Sequence, residues 1–389
     1  MAKRALAVGI DIGTTTVKVV VARESESDGL PEVVGVGVAE SKGLRNGFIS
    51  NHADAIKGVR KAIRLAEKAC GERIRHAYVG IGGIGLESMT SEATVAVSRA
   101  DGEVTPLDVK KLNEQCQSRI PQHVMLNHHI LHTLPLSYAL DGQKVHGNPI
   151  GMRGASLTGV TMFVTCLKTH YNDFIRVVEE CDVEVVGSAA SPIAASLTSL
   201  SRTQKVFGCA LANIGSETLS LVVYEEGLPI SVAVFPIGSN DITNDIALGL
   251  RVSLEEAEAI KMGEETAPAT PRRKLDEIVM ARMSDMFELV GGHLKKINRP
   301  LLPGGIIISG GGSGVTTIED LARAYLQIPS KVIKSVTNRE KVEIRDSMWS
   351  VAYGLCVYAL NDTDFSGGAA DMRSPWWSSI VSWFKQFLP

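Results

Sequence analysis

Two stretches in separate halves of this chain carry one pattern. Leu6–Ile12 (LAVGIDI) reads as an apolar strand, Gly13–Thr16 (GTTT) as a tight turn and Val17–Ala22 (VKVVVA) as a second strand. Gly208–Val223 (GCALANIGSETLSLVV) repeats it, with Gly215 and Ser216 in the turn. A strand–turn–strand unit with glycine and hydroxyls at its tip suits a phosphate. Glycine lets the backbone come close, while N–H groups and Thr14 and Thr15 hydroxyls donate to the oxygens. Asp11, at the strand end, is expected to hold Mg²⁺ through water, and Lys18 to reach a phosphate as a point charge. A third glycine cluster, Gly304–Gly314 (GGIIISGGGSG), follows another apolar strand. Two phosphate hairpins and a later glycine loop for the nucleoside describe one nucleotide held between two related domains.

The last residues, Pro375–Pro389 (PWWSSIVSWFKQFLP), make a different demand. On a helix of about 100° per residue, Trp376, Trp377, Ile380, Val381, Trp383, Phe384, Phe387 and Leu388 share one arc of roughly 160°. Ser378, Ser379, Ser382, Lys385 and Gln386 fill the other side. Ser374 suits an N-cap and Pro375 the first helical position. A stripe this aromatic is expected to lie on a membrane surface. The competing expectation is a terminal helix docked on the protein's own core. The approach, Asn361–Arg373 (NDTDFSGGAADMR), is polar and contains glycine, which favours a tether.

Composition narrows the setting. The chain has 389 residues, 44% of them hydrophobic, which suits two or more globular domains. A net charge of −3 offers no field to draw nucleic acid. Six scattered cysteines without metal spacing fit buried thiols in a reducing cytoplasm. No export signal and no apolar run of about 18–20 residues is present, so membrane contact is expected to be peripheral.

The motifs together resemble a known superfamily. DIGTTTVKVVVA, NIGSETLSLVVYEEG and IIISGGGSG are similar to the two phosphate motifs and the adenosine motif of the actin, heat-shock-chaperone and sugar-kinase ATPases. Within it, the chain resembles the bacterial cell-division protein FtsA family over nearly its whole length. The resemblance runs through Ser41–Gly83, Glu103–Cys116, His128–Gly154 and Pro236–Lys261.

That resemblance implies an α/β, actin-like two-lobed ATPase fold with an FtsA-type insertion subdomain and a C-terminal amphipathic helix. The first lobe is expected over 1–83 and 165–205, with the insertion at 84–164. The second lobe is expected over 206–233 and 300–360, with its own subdomain at 234–299. A linker follows at 361–374 and the membrane helix at 375–389. The family binds ATP with Mg²⁺ and polymerises. It tethers filaments of FtsZ, through the FtsZ C-terminal tail, to the cytoplasmic face of the inner membrane at the division septum. It meets other division proteins through the insertion. By resemblance Asp11, Gly13, Thr14, Thr15 and Lys18 belong to the first phosphate motif, and Asn213, Gly215 and Ser216 to the second. Gly238 follows in the next loop. Glu258 and Lys261 match the pair that contacts the nucleoside, and Gly310, Gly311 and Gly312 the adenosine loop. Arg272, Arg273, Lys274, Lys295, Lys296 and Arg299 are expected to meet the acidic tail peptide, or else to be solvated helix charges.

The chain departs from the superfamily at Asn213, where aspartate is usual, and at Glu217, where a small residue is common. Loss of one carboxylate near Mg²⁺ and gain of another near the phosphates imply ATP binding with weak or no hydrolysis. His128, His129 and His132 lack further metal ligands and are expected to be structural. Asp241 and Asp245 are expected to cap a helix start. Two alternatives are a scaffold like the type IV pilus protein PilM and a small-molecule kinase. The kinase would need a general-base aspartate in a substrate loop that no segment resembles.

Overall fold

A computed structural model describes residues 6–25, 30–264, 272–314, 317–333 and 347–361. The apolar stripe from Trp376 to Leu388 and most of its approach lie outside the described residues.

Two five-stranded sheets share one topology. In the first, the order is Glu184–Ala190, His76–Ile81, Leu6–Ile12, Thr16–Arg23, Glu32–Glu40. In the second it is Ser330–Val332, Ile306–Ser309, Cys209–Ile214, Leu219–Glu225, Leu228–Phe235. In each sheet the three strands earliest in the chain form an antiparallel meander, and the two latest join in parallel. The central strands are apolar on both faces because helices cover both, as parallel neighbours require. The turns at residues 13–15 and 215–218 therefore occupy the same corner of each lobe.

The lobes exchange their last helices. Ser191–Ser199 follows the first sheet and packs on strands of the second, where its Ser196 hydroxyl lies 2.7 Å from the Tyr224 hydroxyl. Ser350–Asn361 follows the second sheet and packs on the first. The two helices cross backbone on backbone. A Cβ at Gly354 would stand 1.9 Å from the Ala194 carbonyl oxygen. Gly354→Ala must push these helices apart, so a loss of about 1–3 kcal/mol is expected as a lowered midpoint of urea unfolding.

Between His76–Ile81 and the helix Lys168–Glu179 the chain leaves the first lobe. It builds an antiparallel sheet in the order Glu87–Ala96, Ser156–Leu167, His128–Leu140, Gln143–Val145. The helix Pro106–Ser118 covers one face, and Val109, Leu112, Cys116, Leu157 and Phe163 form a separate small core. Thr105 starts that helix by accepting from the Asp108 N–H while Asp108 accepts from the Thr105 N–H, a reciprocal cap.

His129 and His132 are held by contacts within the fold. His132 is buried, and its Nε2 accepts from the Ala190 N–H at 2.9 Å. His129 stacks on Tyr171 with ring centres 3.8 Å apart. Burial holds the His132 imidazole down to about 4, against an unfolded value of about 6.5. Between those values the unfolded chain takes up a proton that the folded chain refuses. The stabilisation is thus complete above about pH 6.5 and is lost as pH falls toward 4, by about 3 kcal/mol in all. Urea unfolding across pH 4–7 is expected to show a shallower acid limb for His132→Gln, whose amide oxygen still accepts from Ala190.

Candidate nucleotide site

Each lobe carries one turn of the same kind. In the first, the Gly13 N–H donates to the Thr16 carbonyl at 3.1 Å and closes the turn that carries Thr14 and Thr15. Asp11 and Lys18 are register partners at its base, with Nζ 3.5 Å from Oδ2. Burial pushes the Asp11 carboxyl above its ordinary value, against the pull of Lys18. A low-dielectric pair of this kind loses most when one partner is removed.

In the second lobe the Gly215 N–H donates to Thr218 at 2.8 Å, so the same turn forms from NIGSET. The helix Ser239–Leu250 starts against it: the Ser239 N–H donates to the Gly215 carbonyl and the Asn240 N–H to Ser216. Gly238 precedes that helix, and Asp241 caps it by accepting from the Gly238 N–H at 2.7 Å. Asp245 is not a cap. It forms a two-pronged ion pair with Arg282, at 2.6 and 3.0 Å, because one further turn carries it onto the face beside the long helix.

Glu258 and Lys261 lie on the helix Leu254–Lys261, 2.7 Å apart. Thr243 joins them, its hydroxyl 2.6 Å from Glu258 and 2.8 Å from Lys261. No sequence pattern marked Thr243; only the packing of the two helices brings it there. Gly310 sits where a Cβ would come within 2.4 Å of both Asn213 Oδ1 and the Ile214 carbonyl oxygen. The glycine loop thus lies directly on the strand Cys209–Ile214. Gly312 contacts Ile214 and Ser239, while Gly311 faces open space.

The cleft between the lobes holds a cavity of about 740 Å³, lined by Arg45, Asn46, Glu217, Asn240, Thr243 and Glu258 among others. Arg45 and Asn46 come from the hairpin Leu44–Arg45 and Phe48–Ile49, whose Asn46–Gly47 tip is a turn signal legible in the sequence. Glu217 lines the same cavity from the second lobe. It accepts from the Asn46 N–H across the cleft at 2.5 Å.

The residues fit a nucleoside polyphosphate: two glycine turns with hydroxyls, one cation at the phosphate end and an open glycine loop at the other. Among the described residues no group of three or more metal-ligating side chains gathers, and Asp11 is the carboxylate at the base of the first turn. An ion bound mainly by phosphate oxygens and water needs no more.

The basic residues near the long helix Arg272–Lys296 do not form one patch. About 35 Å of helix separates its two ends. Arg273 pairs with Glu277, and Lys274 donates to the Gly249 carbonyl. At the other end Arg299 clasps Glu225 with two bonds of 2.7 Å, while Lys295 and Lys296 are exposed. The Arg272 side chain lies outside the described residues.

A family model described as cell division protein FtsA matches residues 210–354, and one described as the SHS2 domain inserted in FtsA matches 83–165. The chain is 30% identical to cell division protein FtsA of Pseudomonas aeruginosa, covering 91% of this chain and 89% of that one. It is 29% identical to that of Bacillus subtilis, covering 95% and 87%. Among solved structures, a PilM–PilN type IV pilus biogenesis complex superposes with a TM-score of 0.67 at 16% identity, covering 91% of this chain and 98% of that one. MreB5 of Spiroplasma citri bound to ADP gives 0.51 at 13%, covering 91% and 95%. These two likenesses speak for the actin-like fold alone.

Proposed function

The chain belongs to the FtsA family of cell-division proteins, and from that premise we propose that it binds ATP between its two lobes, polymerises, and tethers FtsZ filaments to the cytoplasmic face of the membrane at the division site. The observation that carries the reading is the pairing of two like phosphate turns, one per lobe, in a frame whose last helices are exchanged. A ligand touching both turns draws on both lobes, so its binding biases their relative position.

Lys18, Thr14 and Thr15 hold phosphate from one side, Gly215 and Ser216 from the other. Gly238 brings the helix start to the second turn. Glu258, Lys261 and the loop Gly310, Gly311 and Gly312 take the nucleoside. Asp11 would hold Mg²⁺, which would neutralise phosphate charge when bound. Asn213 offers an uncharged oxygen where a carboxylate would position attacking water, so turnover well below about 1 s⁻¹ is expected from a phosphate-release assay. Arg299 and Lys274 already have partners, which leaves Lys295, Lys296 and the loosely held Arg273 for an acidic FtsZ tail. The insertion is the surface for other division proteins. The stripe Trp376, Trp377, Ile380, Val381, Trp383, Phe384, Phe387 and Leu388 is the membrane contact. No described helix is long and apolar enough to cross a membrane.

Electron microscopy of the full chain on a lipid monolayer tests this. Mg-ATP is expected to give filaments, and a chain ending at Asn361 none on the lipid. Dispersed single particles of the full chain under the same conditions would overturn the scaffold reading.

A further inference from the structure

Asn46 is hydrogen-bonded in two directions. Its N–H donates to Glu217 Oε2 on the phosphate turn of the second lobe. Its carbonyl accepts from the Ile84 N–H at 3.4 Å, at the root of the inserted sheet. Asn46 itself is held with φ at 51°, the left-handed region that an Asn–Gly hairpin tip uses.

The hairpin tip is fixed on that root. A Cβ at Gly47 would lie 2.4 Å from Gly83 Cα, and one at Gly85 would meet the Phe48 ring at 3.0 Å. His170 braces the other side, with Nε2 2.7 Å from the Gly82 carbonyl oxygen and its ring 4.6 Å from that of Phe48. The insertion also reaches the second lobe directly. The Ser88 hydroxyl donates to the Val232 carbonyl at 2.9 Å and accepts from the Val232 N–H at 2.8 Å, and Lys144 pairs with Glu226. The inserted sheet is therefore rooted in one lobe and attached to the other, and Asn46 joins its root to the Glu217 turn of the second lobe.

We propose that Glu217 is a latch between the lobes, released by a nucleoside triphosphate, which reports the bound nucleotide to the insertion through Asn46 and Ile84. The proposal rests on the ATP-binding reading of this site. Its driving force is Coulombic. A triphosphate on the Ser216–Thr218 turn brings like charge beside the Glu217 carboxylate in a cleft partly shielded from water. The carboxylate swings off Asn46, and the nucleotide replaces it as the bridge between lobes. The hairpin tip loses its fixed partner, and the Ile84 attachment loosens with it. A diphosphate brings less charge to that turn and leaves the latch closed. Glu217, which looks like a defect in a phosphate motif, becomes the element that reads phosphate charge.

Hydrogen exchange by mass spectrometry on the full chain tests this, following peptides over 43–50 and 82–89. Samples are free of nucleotide, with Mg-ADP, or with a slowly hydrolysed ATP analogue and Mg²⁺. Without nucleotide, Glu217→Ala is expected to raise exchange in both peptides about fivefold, whereas Glu217→Gln, which keeps an acceptor oxygen, raises it less than about twofold. The strand Ile306–Ser309 keeps its wild-type protection, which shows that the variants are folded. In the wild type the triphosphate is expected to raise exchange over 82–89 about threefold above the diphosphate, and to add nothing in Glu217→Ala. Wild-type rates in nucleotide-free Glu217→Ala would overturn the latch. So would a triphosphate that slows 82–89 equally in wild type and variant. If no nucleotide binds at all, the ATP reading fails, and the nucleotide-free comparison still decides the latch.

Discussion

Replacing Trp383 by glutamate is expected to release the full chain from phospholipid vesicles while leaving its ATP affinity within about twofold of wild type. Trp383 lies at the middle of the aromatic stripe. Glutamate removes about 2–3 kcal/mol of buried apolar surface and adds a charge that must leave the interface. For one chain this is about a 30–100-fold loss of partitioning. The wild-type stripe is itself a marginal anchor: half-burying it gives a few kcal/mol, and Arg373 and Lys385 add little attraction. Polymerisation sets many stripes on one surface, so the loss is multiplied along a filament. Vesicle flotation against a fluorescent-nucleotide titration separates the two readouts. A parallel fall in ATP affinity would mean that the stripe packs on the folded domains instead.

The second large effect is at Lys18. Lys18→Met keeps most of the side-chain volume but removes the cation from the first phosphate turn. ATP affinity is expected to fall about 100-fold in a fluorescent-nucleotide titration, close to 3 kcal/mol. Folding suffers less, because the Asp11 carboxyl, already pushed upward by burial, can take up a proton when its partner is lost. An ATP affinity within threefold of wild type would remove Lys18 from the phosphate site.

Much of this architecture was legible because its signals are local. Leu6–Ile12 and Pro106–Ser118 follow from apolar strand composition and from a Thr–Pro start with Asp108 three residues after the cap. The long basic helix Arg272–Lys296 stops short of Arg299, where Asn298 turns left-handed with φ at 55°. What stayed hidden depends on packing between distant segments. Nothing in SPIAASLTS or SVAYGLCVYALN says that each helix covers the other lobe's sheet, since an apolar helix does not name its neighbour. Asp245 reads as a helix-start charge until Arg282, far along the chain, claims it. Thr243 has no signature at all, and joins Glu258 and Lys261 only when two helices meet. Glu217 shows the limit most clearly. Its position in the turn and its charge are readable, but its partner is a backbone N–H in the other lobe, which no pattern in either segment announces.

The direct measurement of the central claim is vesicle co-sedimentation of the full chain and of a chain ending at Asn361, each with and without Mg-ATP and an FtsZ C-terminal tail peptide. A membrane tether predicts that the full chain pellets with vesicles, more so with ATP, and carries the peptide down, while the shortened chain leaves both in the supernatant. Equal behaviour of the two chains, or a peptide that stays behind when the full chain pellets, would contradict it.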